Sequence, residues 1–374
     1  MAATFVFTVM NWNIQNFGSY QTVANGGLEW IADTILNSKA DIVIVEELFV
    51  NRQNNPKTSI QIDSQAPTQD GIDAANGLLL MLRNAVKDPG ANWALSFSNN
   101  NCGNKDRDAY AIYYKKRPSA SAYKITPPAG LQIPTTISIK GAAIKVYDEK
   151  GYGDKTGNPR KMDCSSSRRP GGAKFEFSDG GPNTVNCIIL GFHAIAPEAG
   201  PTKIKKAIKE CVYKAGTAST SNDPSTENAF IIGGDFNLSY NGRFPKKKNS
   251  SEIILNSDFY KDLEFYDDKG GTYKVETAIT ANGASSLRTN VGVAPAYKYK
   301  TDNAYDNLLY HGVAKVSLLP CKIIDVIAAK AAVYQSPPGN LSKKDAIERA
   351  FDEYRTSRNG VVSDHLPAIC SFKL

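Results

Sequence analysis

A mixed α/β fold is predicted by three observations. The first fifty residues read strand, helix, strand; short apolar runs rich in β-branched residues recur at 41–45, 185–192 and 229–232; and stretches with helical spacing of apolar residues alternate with them at 28–36, 72–86 and 343–354. A chain of 374 residues is long enough for two domains, but a sandwich core with decorated loops also reaches that length. A single domain over 1–374 is expected, with insertions around 115–165 and 239–300.

Taken in order, residues 5–10 (FVFTVM) form the opening strand, 28–36 a helix ending at polar Asn37, and 41–45 a short strand of the kind buried in the middle of a sheet. Apolar residues repeat at helical spacing over 72–86 until Pro89 and Gly90 stop them. Residues 93–97 and 109–114 are strands joined by a polar loop, which makes a hairpin. Strands follow at 173–177 and 185–192, then a helix over 203–213 and a strand at 229–232. Asn241-Gly242 and Gly270-Gly271 are turn signals within a loop-rich stretch. The last strands are 305–311 and 366–372; between them a helix over 343–354 begins at Ser342, with Ile347 and Phe351 on one face and charges on the other.

Composition narrows the class. With 41% hydrophobic and 22% charged residues the chain is an ordinary globular protein, and no apolar run approaches the ~20 residues a membrane span needs. The first residues lack the basic start, apolar stretch and small-residue cleavage site of a secretory signal, so a cytoplasmic protein is expected, with delivery by another route left open. The six cysteines form no CxxC pair, which favours reduced thiols over a disulfide framework and argues against a cysteine zinc site. A formal charge of +7 suits a polyanion, either nucleic acid or anionic lipid headgroups. The basic residues cluster at Lys105, Arg107, Lys115, Lys116 and Arg117 and again at Lys246, Lys247 and Lys248.

Three polar clusters carry the chemistry: NWNIQNFG at 11–18, IIGGDFNLSY at 231–240, and Ser363, Asp364 and His365 before the closing apolar run. DIVIVEEL at 41–48 ends a buried strand on two carboxylates, an expensive choice unless a cation lies at the strand end. A hard divalent ion such as Mg²⁺ supplies that charge, and either Glu46 or Glu47 is its candidate ligand. Asn13 and Asn237 can hold a phosphate or a metal-bound water. Two of the three histidines, His193 and His365, flank strand ends, where imidazole can transfer protons near neutral pH. Asp306 can orient one ring and raise its pKa by accepting a hydrogen bond.

With NWNIQNFG, DIVIVEEL, RDAYAIYYK, SRRPGGAKF, LGFHAIAP, GGDFN, YDNLL and SDHLPA in that order, the chain resembles the endonuclease/exonuclease/phosphatase superfamily and is most similar in motif wording to deoxyribonuclease I. The resemblance implies a four-layer αββα sandwich, two central mixed β-sheets flanked by helices, with the active site at one edge. It implies Glu47 as the primary metal ligand, with Glu46 where the family often has Gln, and Asp364 as a second ligand. Asn13 would bind phosphate or metal, and Arg168 phosphate, although neighbouring Arg169 leaves that register open. His193 and His365 would be the catalytic histidines, with Asp306 the partner of His365. Asp235 and Asn237 would position or activate water and hold the phosphate. In RDAYAIYYK the expected partner of His193 is Asp108, one methylene shorter than the glutamate of deoxyribonuclease I.

The expected function is therefore a Mg²⁺ or Mn²⁺ dependent nuclease, a monomer acting on DNA rather than RNA with little sequence specificity and leaving 5′-phosphate and 3′-hydroxyl ends. The basic residues Lys105, Arg107, Lys246, Lys247 and Lys248 are its candidate nucleic-acid contacts. An inhibitor or immunity protein is expected to guard such an enzyme. The alternatives are a phosphoinositide phosphatase or sphingomyelinase-type phosphoesterase of the same superfamily, and a non-catalytic binding protein on the same scaffold. The family's inositol phosphatases carry an aromatic, Cys, Asp, Arg run where this chain has YDNLL, which disfavours the first alternative. The complete set of acids, amides and histidines disfavours the second.

Overall fold

A computed structural model of the chain describes residues 5–18, 21, 26–48, 69–86, 92–99, 109–116, 124–126, 152–153, 159–160, 171–178, 184–194, 229–237, 243–245, 253–255, 264–266, 272–279, 305–316, 321–354 and 362–374. Two mixed sheets form the centre. The first contains β1 (Val6–Phe17), β2 (Ile42–Leu48), β3 (Trp93–Asn99) and β4 (Ala109–Lys115). The second begins with β5 (Lys124–Thr126), β6 (Gly171–Ser178), β7 (Thr184–Gly191) and β8 (Phe230–Asp235) and continues with β9 (Glu276–Thr277) and β10 (Asp306–His311). The chain then returns to the first sheet through β11 (Ala314–Lys315), β12 (Lys322–Ile323) and β13 (Ala368–Lys373). The strand orders are β11-β13-β1-β2-β4-β3, with β12 also paired to β13, and β9-β10-β8-β7-β6-β5. Among the described residues each sheet holds one parallel pair near its middle, β1 with β2 and β7 with β8. Parallel pairs need crossover connections, which is why strand and helix alternate early in the chain.

Strand alternation sorts the apolar residues into two packings. Met10, Trp12, Val43, Val45, Leu95 and Tyr113 of the first sheet meet the helices α1 (Gly27–Ser38), α2 (Gln69–Asn84), α3 (Val326–Gln335) and α4 (Lys343–Tyr354). The opposite faces, including Phe7, Val9, Ile42, Ile44 and Tyr110, pack against Phe175, Ile189, Ile231 and Leu308 of the second sheet. Helix, sheet and sheet are thus stacked as expected. The helix read at 203–213 lies outside the described residues.

Several elements depart from the sequence reading. The first strand runs on to Phe17 because Asn11 and Asn13, polar though they are, continue its buried inner face. Helix α3 was not expected: its apolar and alanine residues are spread around the helix, leaving no amphipathic stripe to read, and only Asp325, whose side chain accepts from Ala328 N at 2.9 Å, marks its start. By contrast Ser342 caps α4 as expected, accepting from Asp345 N at 3.2 Å. The reading of all cysteines as reduced thiols is corrected for one pair. Cys321 and Cys370, separated by 49 residues, meet across β12 and β13 as a disulfide, a proximity that only strand pairing creates.

The sheets approach closely at Gly191 and Gly233. A Cβ at Gly191 would lie 2.6 Å from the Tyr110 ring, and one at Gly233 would lie 2.8 Å from Asn11 Cβ. Gly233→Ala is therefore expected to lower stability by about 1–3 kcal/mol, the usual cost of overpacking a filled core. Urea unfolding midpoints at unchanged slope check this; an unchanged midpoint would mean that the sheets can part there freely.

Candidate active site

The inner faces of both sheets turn polar at one edge. On β1 the stripe Phe7, Val9 continues as Asn11 and Asn13; on β2 Ile42 and Ile44 lead to Glu46; on β8 Ile231 leads through Gly233 to Asp235; on β10 Leu308 leads back to Asp306. The registers place Asn13 beside Glu46 and Asp235 beside Asp306. None of these five polar side chains exceeds 2% exposure, a concentration of buried polarity that a purely structural edge would avoid.

Glu47 reaches the same cluster by a different route. Alternation alone would place it with Val43 and Val45 on the helix side of the sheet. Instead the ladders of β2 shift register around this residue and its φ is +56°, a left-handed conformation unfavourable for a residue with a Cβ. The bulge brings Glu47 Oε1 within 3.2 Å of Asn13 Nδ2 and 3.5 Å of His193 Nδ1. Strain of this kind concentrates at functional sites.

Asp235 is the hub. Its Oδ2 accepts from Asn13 Nδ2 at 3.1 Å and lies 3.6 Å from both His193 Nε2 and His365 Nε2. Its Oδ1 accepts the Asn237 N–H at 2.8 Å, in a turn where Asn237 also has a left-handed φ of +47°. The Asn237 side chain in turn donates to the Ala194 carbonyl at 2.8 Å, tying it to the residue after His193. One carboxylate oxygen of Asp235 is thus anchored and the other aims at two imidazoles.

His365 is held on every side. Nδ1 lies 2.7 Å from Asp306 Oδ2, the N–H donates to Ser363 Oγ at 3.0 Å, and the carbonyl accepts from Trp12 Nε1 at 3.1 Å and from the Tyr354 hydroxyl. Burial alone would depress its pKa, but the Asp306 and Asp235 carboxylates outweigh burial and hold it well above the ordinary value, so the ring carries a proton at neutral pH. Ser363 Oγ also donates to the Asn13 carbonyl at 2.7 Å, joining the two walls. The Tyr110 hydroxyl accepts the His193 N–H at 3.1 Å. Tyr110 and Tyr354 were missed from sequence because a tyrosine in an apolar strand or helix end reads as core.

Glu46 points into the seam between the sheets. Both its oxygens lie near the Asp235 N–H, at 3.0 and 3.2 Å. Burial pushes its carboxyl well above the usual range; His193 offsets this in part, while Asp235 and Asp306 add to it. The unfolded carboxyl ionises near 4.5 and the folded one at higher pH, so above 4.5 the unfolded state binds fewer protons and stability falls as pH rises, by at most about 1.4 kcal/mol per unit. Glu46→Gln removes that slope. In chelator, the variant is expected to gain melting temperature over wild type as pH rises above 5; a constant difference would refute the assignment.

Asp364 is half-buried next to His365. Asp108, Arg168, Lys105, Arg107, Lys246, Lys247 and Lys248 lie outside the described residues, so the partners beside His193 seen here are Glu47 and Asp235. Among the described residues no group of three His, Cys, Asp or Glu side chains is arranged to hold a metal ion. The donor chemistry nonetheless fits a hard cation that takes few carboxylates and completes its shell with water and phosphate. Asn13 Oδ1 is buried without a hydrogen-bond partner among the described residues, beside the Glu47 carboxylate.

The model of the endonuclease/exonuclease/phosphatase family matches residues 10–314. The chain belongs to this family. Its members are hydrolytic phosphoesterases and typically use divalent metal ions. No curated protein matches the chain. Among solved structures, a family protein from Leptotrichia buccalis is similar at 11% identity and TM-score 0.45, covering 98% of this chain and 99% of that one. A family protein from Bacteroides thetaiotaomicron is similar at 10% identity and TM-score 0.46, covering 100% and 97%. The human Nocturnin catalytic domain, with bound sulfate, is similar at 12% identity and TM-score 0.43, covering 99% and 96%. Likenesses this distant carry no weight for substrate. Among the described residues of this family member no helix is long and apolar enough to cross a membrane.

Proposed function

We propose that the chain is a Mg²⁺ or Mn²⁺ dependent phosphodiesterase, a DNA endonuclease of low sequence specificity acting as a monomer through one catalytic domain over residues 1–374. The observation that carries this reading is Asp235 Oδ2, set between two histidines and beside Asn13 at one edge of the paired sheets. The net charge of +7 favours a polyanionic substrate.

In the proposed reaction Asp235 accepts a proton from the attacking water, whose oxygen forms the new bond to phosphorus while the bond to the 3′ oxygen breaks. His365, kept protonated by Asp306, gives its proton to that leaving oxygen, and His193 steadies charge on the phosphoryl oxygens. Asn13, Asn237 and Arg168 would hold the phosphate in line, with Asp108 a further support for His193. Glu47, Asp364 and Asn13 would hold the cation. Once bound, that ion supplies a positive charge to offset the negative charge that develops on phosphate oxygens. Lys105, Arg107, Lys246, Lys247 and Lys248 would contact flanking phosphates. A guarding inhibitor or immunity protein in the cytoplasm is one setting; delivery out of the cell is the other, and the Cys321–Cys370 disulfide favours it because such bonds persist in oxidising surroundings.

Incubation with supercoiled plasmid and Mg²⁺ is expected to give nicked circles that ligase alone reseals, as 5′-phosphate and 3′-hydroxyl ends require. Intact plasmid, together with phosphate release from phosphoinositides or phosphocholine release from sphingomyelin, would replace the nuclease reading with a lipid phosphoesterase.

A further inference from the structure

Glu46 has no part in the reaction just described, yet it is the side chain that crosses from the first sheet to the main chain of the hub. Besides the Asn13 contact, three tethers hold Asp235. Its carbonyl accepts from Ala194 N at 2.8 Å and its Oδ1 from Asn237 N at 2.8 Å, both on the side of the second sheet. Its N–H donates to Glu46, which belongs to β2 of the first sheet and is fully buried. The cluster is itself divided between sheets: Asn13 and Glu47 stand on the first, Asp235 and Asp306 on the second. The 3.1 Å contact from Asn13 to Asp235 therefore depends on how the sheets sit at this edge. The glycine approach at Gly233 limits only how close they come. Beside the cross-sheet contacts of Tyr110 with His193 and of His365 with Asp306, the Glu46 carboxyl adds a hydrogen bond to the main chain of the last residue of β8.

We propose that Glu46 is a positioning residue that registers the two halves of the site by holding the Asp235 amide. This rests on the reading that Asp235 is catalytic. A displacement of about 1 Å at a reacting group can cost about 10²-fold in rate, so loss of the tether should appear in turnover and not in substrate binding. The required chemistry is a hydrogen-bond acceptor at this position, which a glutamine carbonyl also provides. Methionine fills similar volume and cannot replace the acceptor.

The experiment has two readouts on Glu46→Met, Glu46→Gln and the wild-type protein. The first is hydrogen exchange of the Asp235 amide by NMR in metal-free, substrate-free protein, which needs no activity. Protection is expected in wild type and Glu46→Gln and is expected to drop at least about tenfold in Glu46→Met. The second is plasmid cleavage: kcat should fall about 10- to 100-fold in Glu46→Met with KM within about twofold, Glu46→Gln should restore most of the loss, and the methionine change should add little in an Asp235→Asn background. Equal protection in all three proteins would overturn the tether, and a full additive loss in the Asp235→Asn background would overturn positioning through Asp235. If Glu46→Met does not fold, loss of Asp235 protection in Glu46→Gln would still refute the proposal. A wild-type protein inactive on every phosphodiester would instead sink the nuclease reading, with the exchange data still deciding the tether.

Discussion

Asp235→Ala is expected to reduce phosphodiester turnover by about 10² or more while the protein still melts cooperatively. The change removes the oxygen shared by Asn13, His193 and His365 and leaves two imidazoles facing a void. His365→Ala should cost a similar factor, since it removes the group that Asp306 keeps protonated. The two losses should not multiply, because each residue acts through a contact with the other. Steady-state rates of the single and double variants on one oligonucleotide substrate check this. A double variant as slow as the product of the singles would mean that the two residues act independently, against the geometry of a single hub.

Excess EDTA is expected to bring cleavage down to background, the largest effect of all, and Mg²⁺ or Mn²⁺ to restore it. The reason lies in the donors: carboxylate and amide oxygens suit hard cations, and no cysteine stands among the described residues of the cluster. Calcium should bind yet support turnover poorly, since its looser coordination positions oxygen ligands less strictly. A readout apart from activity is available in thermal stability. A cation that binds the folded state alone raises the melting temperature by mass action, and Glu47→Ala should abolish that rise. Full activity in EDTA, or an undiminished Mn²⁺ shift in Glu47→Ala, would remove the metal from the reading.

What the sequence by itself determined is the alternation of apolar runs that builds the two sheets and the set of polar residues waiting at their ends. Hydrophobic periodicity is local, so 41–45, 109–114, 229–232 and 305–311 could be read as strands before any pairing was known. Glu46 and Glu47 stood out because a buried strand that ends in carboxylates needs a reason, His193 and His365 because imidazole transfers protons near neutral pH, and Asp235 through the family resemblance. Only the tertiary structure separated the paths of Glu46 and Glu47. The same residue type twice in succession gives no local signal, and it is a bulge with a left-handed φ at Glu47 that sends one carboxylate to Asn13 and His193 while the other reaches the Asp235 amide. Nor could a tyrosine in RDAYAIYYK announce that its hydroxyl would meet His193, or two cysteines 49 residues apart that they would face each other across β12 and β13. These features depend on sheet pairing and on the approach of one sheet to another. Such distances are set by packing over the whole core, and no window of sequence contains them.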